Sequence, residues 1–98
     1  MSYYLVANIK IEDTEEYAKY QDGFMEVFEQ FNGEVLVVSD EPAIIEGDWP
    51  YTRVVVLRFP SQDDALAWYS SPGYQAILKH RLNASTATIV SAPGFEAL

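Results

Sequence analysis

The segment Ala67-Trp68-Tyr69-Ser70-Ser71-Pro72-Gly73-Tyr74 contains the signals that end one helix and begin the next. A serine followed by a proline favours a helix start. The serine side chain accepts a hydrogen bond from a free backbone N–H group, and proline lacks the N–H group that would otherwise stay unpaired. The segment therefore predicts a helix that ends near Ser70 and a second helix that begins at Pro72, with aromatic side chains on both sides of the joint.

Upstream of this joint, the sequence predicts one strand and one long helix. Residues 3–11 alternate between apolar and mixed positions, which is typical of a half-buried strand. Asp13 with Glu16 three residues later is an acidic form of the capping box and predicts a helix start. The pair Asn32-Gly33 predicts the helix end through a left-handed residue. One stripe of this helix is aromatic and apolar: Tyr17, Tyr20, Phe24, Val27, Phe28 and Phe31.

The remaining segments complete a pattern of alternating strands and helices. Strands are predicted at residues 34–38, 53–59 and 86–91, a brief extra strand at Ala43–Glu46, and helices at residues 61–70 and 72–83. This order predicts an α+β fold of the ferredoxin-like βαββαβ type, with one antiparallel sheet and the helices on one face. The length of 98 residues predicts a single domain, residues 1–98, with a tail from about Pro93.

The predicted fold leaves one face of the sheet without helices. The residues expected on this open face are too apolar for water and include Tyr4, Val6, Val54 and Val56. An apolar surface of this kind requires a partner or a ligand. We therefore expect a homodimer in which two open faces pack across a two-fold axis as a dimeric α/β barrel. A ligand pocket is expected either between each sheet and its helices or inside the joined barrel.

Composition and charge narrow the range of partners. The net charge is −9, and residues 12–48 contain twelve acidic residues but only one base, Lys19. This half of the chain would repel phosphate backbones, so we expect no nucleic-acid partner. The acidic residues are interpreted either as a solvated helix face or as a surface for a partner. No apolar run reaches the ~18 residues that span a bilayer, and the chain has no cysteine. The sequence therefore predicts a cytoplasmic protein without a membrane partner.

Several segments together resemble the domain-of-unknown-function family 1330. They are Tyr4-Leu5-Val6-Ala7-Asn8-Ile9, Tyr17-Ala18-Lys19-Tyr20, Glu46-Gly47-Asp48-Trp49, residues 53–61 and the joint at residues 67–74. The resemblance implies membership of the dimeric α/β-barrel superfamily, which includes cofactor-free monooxygenases, haem-degrading enzymes and muconolactone isomerase-like proteins. What carries over from the resemblance is the architecture and not the chemistry. We predict a small-molecule-binding protein of this type, with an oxygenase-like or isomerase-like enzyme acting on a small organic substrate as one form of it. The alternatives are a non-catalytic ligand-binding protein and a purely structural homodimer.

His80 and Tyr74 are the candidate catalytic residues. His80 is the only histidine, and imidazole titrates near neutral pH. The resemblance implies a further role as a haem ligand, because in the haem-degrading relatives a histidine of the second long helix binds iron. The alternative is a surface or capping role, since a basic Lys79-His80-Arg81 cluster near a helix C-terminus is stabilised by the helix dipole. Tyr74 would transfer protons, or it would simply fill the core.

Five residues are candidates for ligand binding: Tyr4, Asn8, Trp49, Arg58 and Trp68. Arg58 and Asn8 would hold a substrate on the open face, where a guanidinium can bind a carboxylate or phosphate through two parallel hydrogen bonds. The alternative for Arg58 is an ion pair, with Glu46 or across the dimer. Trp49 follows two carboxylates, which suggests either acid–base chemistry or an interface contact. Trp68 would line an aromatic pocket or fill the core.

The sequence lacks the usual motifs for cofactor and metal binding. It has no glycine-rich phosphate loop, no dinucleotide fingerprint, no histidine pair and no cysteine set. Ser61 and Ser71 are interpreted as helix caps, so no serine–histidine–acid triad is favoured. We therefore predict no cofactor and no metal site.

Overall fold

The protein consists of a four-stranded antiparallel sheet with helices on one face. The structure is a computed structural model that describes residues 2–95. The elements in chain order are β1 (Tyr3–Ile11), α1 (Thr14–Phe28), β2 (Glu34–Ser39), β3 (Arg53–Phe59), α2 (Gln62–Tyr69), α3 (Pro72–Ala84) and β4 (Ser85–Pro93). The strand order is β2-β3-β1-β4, with each neighbouring pair antiparallel. This arrangement confirms the predicted ferredoxin-like α+β fold, and the sheet is open.

The helices start where the sequence predicts. The side chain of Asp13 accepts a hydrogen bond from the backbone N–H of Glu16 at 3.1 Å. Ser61 caps α2, and Ser71 caps α3 by accepting from the backbone N–H of Tyr74 at 3.2 Å. Pro72 occupies the first turn of α3, where its missing N–H group costs nothing. The short segment between Tyr69 and Pro72 thus breaks one helical region into two.

Two predictions, one for the end of the first helix and one for a brief strand, were wrong. Helix α1 ends at Phe28, and among residues 2–95 only Gly47 has a positive φ, so Gly33 does not end the helix in a left-handed conformation. Gly33 is instead required by packing. A Cβ atom there would overlap the ring of Phe28 and lie 2.7 Å from Cε1 of Phe59. The brief strand at Ala43–Glu46 does not form, and these residues lie in the irregular loop between β2 and β3.

The core lies between the helices and the odd-numbered residues of the central strands. Leu5, Ala7 and Ile9 of β1 are buried on this side, as are Leu57 and Phe59 of β3. The largest fully buried side chain is that of Trp68, whose ring contacts five other aromatic rings: Phe24, Phe28, Phe59, Tyr69 and Tyr74. Ring pairs at such distances contribute beyond the area that they bury. Trp68 is therefore the central residue of the core.

The open face carries the even-numbered residues of β1 and β3. Its middle is apolar, with Val6 directly opposite both Val56 and Val90 in the strand register. The loop between β2 and β3 covers one end of this face. There the indole N–H of Trp49 donates to the side-chain oxygen of Asn8 at 3.0 Å, and the hydroxyls of Tyr51 and Thr88 lie 3.0 Å apart. Val90, opposite Val6 in this register, is 58% exposed. The middle of the open face is therefore uncovered in the single chain.

The last strand is longer than predicted. β4 runs to Pro93, and the backbone N–H of Gly94 donates to the carbonyl oxygen of Ser2 at 2.7 Å. The predicted tail therefore begins after residue 93, and its last part, residues 96–98, lies outside the described residues. Over residues 2–95, no helix has both the length and the apolar character that crossing a bilayer demands.

Candidate functional site

A cavity of about 260 Å³ lies between the sheet and the helices, and we call it the helix–sheet cavity. Its floor is formed by the helix-facing side chains of β1 and β3, and its walls come from all three helices. The lining residues are mostly apolar or aromatic and include Ala7, Ile9, Tyr17, Tyr20, Phe24, Val55, Trp68, Tyr69, Tyr74, Arg81 and Ile89. A small organic molecule of apolar character matches this lining.

The cavity opens to solvent between α1 and β2. Exposed lining residues lie on these two elements: Met25 of α1 is 51% exposed and Val38 of β2 is 56% exposed. Gln21, also exposed, lies on the same stretch of α1. The opposite end is closed by the buried side chains of Trp68, Tyr74 and Arg81. A ligand would therefore enter past Met25 and reach the aromatic end.

Two tyrosine hydroxyls meet inside the cavity lining. The hydroxyl oxygens of Tyr20 on α1 and Tyr74 on α3 lie 2.8 Å apart in a buried hydrogen bond. Burial is the main cause that raises the pKa of both tyrosines above the usual value of tyrosine. Both hydroxyls therefore keep their protons at neutral pH. One hydroxyl donates to the other, so the pair has one hydroxyl proton free for a ligand, and both are poor proton acceptors.

Two nitrogen donors of the cavity lining lack partners. The indole N–H of Trp68 and the Nε–H of Arg81 are buried and have no hydrogen-bond partner among residues 2–95. Arg81 is only 4% exposed, and its guanidinium carbon lies 5.8 Å from the centre of the Tyr20 ring, within cation–π range. No salt bridge involves Arg81 within the same range of residues. The closed end of the cavity therefore carries a positive charge without a counter-charge.

A second guanidinium, that of Arg53, lies near the mouth and is fully paired. Its Nε and Nη2 atoms donate to the two carboxylate oxygens of Asp40 at 2.6 and 3.1 Å, and Nη1 donates to the side-chain oxygen of Gln21 at 2.9 Å. The hydrogen bonds from Arg53 lower the pKa of Asp40, so this carboxylate stays ionised. The charge of Arg53 is thus neutralised within the chain.

The structure divides the predicted site residues between two faces of the sheet. Trp68 and Tyr74 line the helix–sheet cavity. Tyr4, Asn8 and Arg58 lie on the open face, where the side chain of Trp49 contacts Asn8. The two sets are separated by the sheet and do not form one site.

Arg58 and His80 each have a partner outside the cavity. Nη2 of Arg58 donates to a carboxylate oxygen of Glu34 at 2.7 Å, so the ion pair considered for Arg58 is made with Glu34 and not with Glu46. Nδ1 of His80 lies 2.6 Å from a carboxylate oxygen of Glu16 on α1. That hydrogen bond is the main cause that lowers the pKa of Glu16. His80 thus connects α3 to α1, and its catalytic role stays a prediction.

Tyr20 and Arg81 line the cavity, but neither was among the site residues predicted from the sequence. Arg81 was assigned to a basic cluster at the end of α3. Yet it follows Tyr74 by seven residues and Leu78 by three, and this spacing places all three side chains on one helix face. The helical periodicity could therefore have identified Arg81 as a buried residue. Within residues 2–95, no three His, Cys, Asp or Glu side chains form a group that could hold a metal ion.

The sheet order and the one-sided helices define a ferredoxin-like α+β protein, and the family follows from the sequence. The chain belongs to the DUF1330 family, described as a domain of unknown function, whose family model matches residues 2–95. This finding confirms the resemblance noted from the sequence. None of the curated proteins with which the chain was compared matches it.

Several solved structures share the fold. A protein of unknown function from Rhodopseudomonas palustris is 17% identical with a TM-score of 0.80, over 98% of this chain and 84% of that one. SnoaB, a cofactor-independent oxygenase from Streptomyces nogalater, is 13% identical with a TM-score of 0.70, over 99% and 96% of the two chains. A dimeric ferredoxin-like protein of unknown function from Thermobifida fusca is 15% identical with a TM-score of 0.66, over 95% and 91%. At these identities the likeness shows the fold alone.

Proposed function

We propose that this chain is a small-molecule-binding protein of the dimeric α/β-barrel type and that its ligand occupies the helix–sheet cavity. The observation that carries this proposal is the cavity itself. It is apolar and aromatic over most of its surface, yet the Tyr20–Tyr74 hydroxyl pair and Arg81 supply polar groups at its closed end. Its volume of about 260 Å³ is near the lower limit of ligand pockets, roughly 300 Å³, and this size suits a small ligand.

We further propose that two copies pack through their open faces. The valines in the middle of this face are apolar, and exposed apolar surface favours association. The dimeric ferredoxin-like protein of Thermobifida fusca supports this proposal through its shared fold. In such a dimer the loop residue Trp49 would lie at the edge of the interface, and Tyr4, Asn8 and Arg58 would face the partner. The cytoplasmic location stays a prediction from the cysteine-free composition.

A non-catalytic binding role has more support than an acid–base enzyme. Tyr20 and Tyr74 hold their protons, because burial raises the pKa of both. His80, the other candidate for proton transfer, is not among the cavity-lining residues. The enzyme alternative is favoured by the fold shared with SnoaB, an oxygenase that needs no cofactor. Recovering a bound compound unchanged after incubation in air would support binding, whereas an oxygenated product would support catalysis.

A blocked mouth should weaken ligand binding. Met25→Trp places a large ring at the entrance, so compounds that stabilise the wild type in a thermal-shift screen should lose at least about tenfold in affinity, about 1.4 kcal/mol. Leu82→Trp is the matched control. Leu82 is 63% exposed on α3 and does not line the cavity, whereas Met25 is 51% exposed on α1. Equal effects of the two variants on every stabilising compound would contradict a ligand site in the cavity.

A further inference from the structure

We propose that the ligand of the helix–sheet cavity is a small organic carboxylate and that Arg81 binds its carboxylate group. This inference rests on the proposed function and names the chemical class of the ligand. It starts from the balance of charges among the residues that line the cavity. The guanidinium groups of Arg53 and Arg81 line the cavity, and of the two only Arg53 has a carboxylate partner among residues 2–95.

The charge of Arg81 cannot be removed by a change of protonation. A guanidinium stays protonated in proteins, so burial leaves its charge in place. Its ionisable neighbours include Tyr20 and Tyr74, whose protonated hydroxyls carry no charge. A buried charge without a partner is strongly destabilising. The chain has fifteen acidic residues, yet none of those within residues 2–95 forms a salt bridge with Arg81. An anionic ligand would supply the missing charge.

The hydrogen-bonding groups at the closed end also favour an acceptor ligand. Trp68 and Arg81 each have a buried N–H group without a partner in the described part of the chain, residues 2–95. In the Tyr20–Tyr74 pair one hydroxyl donates to the other, which leaves the second hydroxyl proton free for a ligand. This set of groups offers donors in excess of acceptors. A carboxylate only accepts hydrogen bonds, and its planar shape matches the donor geometry of a guanidinium.

The rest of the ligand can be inferred from the remaining lining. The walls consist largely of aromatic and aliphatic side chains, including Phe24, Val55 and Ile89. A neutral polar body, such as a sugar, would leave its hydroxyl groups unpaired against these walls, at a cost in affinity. An aromatic body would instead gain contacts with the rings that surround the cavity. The ligand class is therefore a small carboxylate with an apolar, preferably aromatic, body.

A pair of probes that differ only in charge tests this inference. 2-Naphthoate and its neutral amide, 2-naphthamide, would each be titrated into the wild-type protein by calorimetry. We expect the carboxylate to bind at least about tenfold more tightly, because its hydrogen bonds to a guanidinium are charge-assisted. Arg81→Met should weaken 2-naphthoate binding by about tenfold or more and change 2-naphthamide binding by less than about twofold.

Two further variants make the result specific. Lys79→Met removes a positive charge from an exposed position of the same helix and should leave both affinities unchanged. Arg81→Lys keeps the charge but loses the planar donor set, so it should retain part of the preference for the carboxylate. If Arg81→Met does not fold, Arg81→Lys and the wild-type comparison still decide the question.

The outcomes separate the ligand class from the ligand site. Equal affinities of the wild type for the two probes, or an Arg81→Met variant that keeps the carboxylate preference, would overturn the role of Arg81. In that case the proposed function stands, because both probes still bind. Binding of neither probe would also overturn the carboxylate inference. The thermal-shift screen of the wild type and Met25→Trp would then test independently whether the cavity binds any ligand.

Discussion

Replacing Trp68 with alanine is expected to reduce the free energy of unfolding by about 3–5 kcal/mol, the range for large aromatic residues removed from a core. Trp68 is 2% exposed, and its ring contacts helices α1 and α3 as well as strand β3. Domains have a total stability of about 5–15 kcal/mol, so this loss would leave a barely stable protein. Denaturant titration at a fixed protein concentration measures the change.

Trp68→Phe is the matched control for this variant. It keeps an aromatic ring in the core and removes the indole N–H that has no partner. An unpaired buried donor costs about 1–3 kcal/mol, so its removal offsets part of the lost packing. We therefore expect Trp68→Phe to be clearly more stable than Trp68→Ala. A loss below about 1 kcal/mol for Trp68→Ala would contradict the central role of Trp68 in the core.

Replacing Val56 with glutamate is expected to dissociate the proposed dimer. Val56 lies in the middle of the open face, opposite Val6 of β1 and Val37 of β2. Because the proposed interface is two-fold symmetric, the substitution would bury two carboxylates without partners. Each such group costs several kcal/mol, so the dissociation constant should rise by about a thousandfold or more. Sedimentation velocity over a dilution series measures this change.

Leu66→Glu is the control for the dimer experiment. Leu66 is 54% exposed on α2, on the opposite side of the sheet from Val56. This variant adds the same charge and should sediment as the wild type does. A wild-type chain that is monomeric at micromolar concentrations, or a Val56→Glu variant that stays dimeric, would contradict the packing of two open faces.

The sequence predicted the fold well where local signals and burial agree. The bounds of β1 and β3 match the structure at both ends, because β1 alternates between apolar and mixed positions and β3 is rich in valine. The caps Asp13, Ser61 and Ser71 were identified because a helix start depends on neighbouring residues alone. The role of Gly33 was missed, because its close contacts with Phe28 and Phe59 depend on the packing of α1 against β3.

The candidate site was predicted only in part. Trp68 and Tyr74 were selected from the helix joint, and both line the cavity. The partner of Tyr74 could not be identified, since Tyr20 lies 54 residues away and meets it only through the packing of α1 on α3. The sequence also could not predict that Arg53 has a carboxylate partner and that Arg81 has none among residues 2–95. Whether a guanidinium has a carboxylate beside it depends on the course of the loop that carries Asp40.

Two surfaces compete as the place where a ligand binds. The open face presents Asn8 and Arg58, but Asn8 already accepts a hydrogen bond from Trp49, and Arg58 is paired with Glu34. The helix–sheet cavity is lined by aromatic side chains and, among residues 2–95, has donors without partners at its closed end. A concave aromatic lining and unpaired donors both favour binding, so we propose the cavity as the ligand site. The open face then remains available for the second copy of the chain.

The crystal structure of the protein soaked with 2-naphthoate is the most direct test of this assignment. We expect electron density for the naphthyl ring between α1, α3 and the sheet, with the carboxylate within hydrogen-bonding distance of the Arg81 guanidinium. Density for the compound on the open face beside Asn8 and Trp49, with the cavity free of it at saturating concentration, would contradict the account.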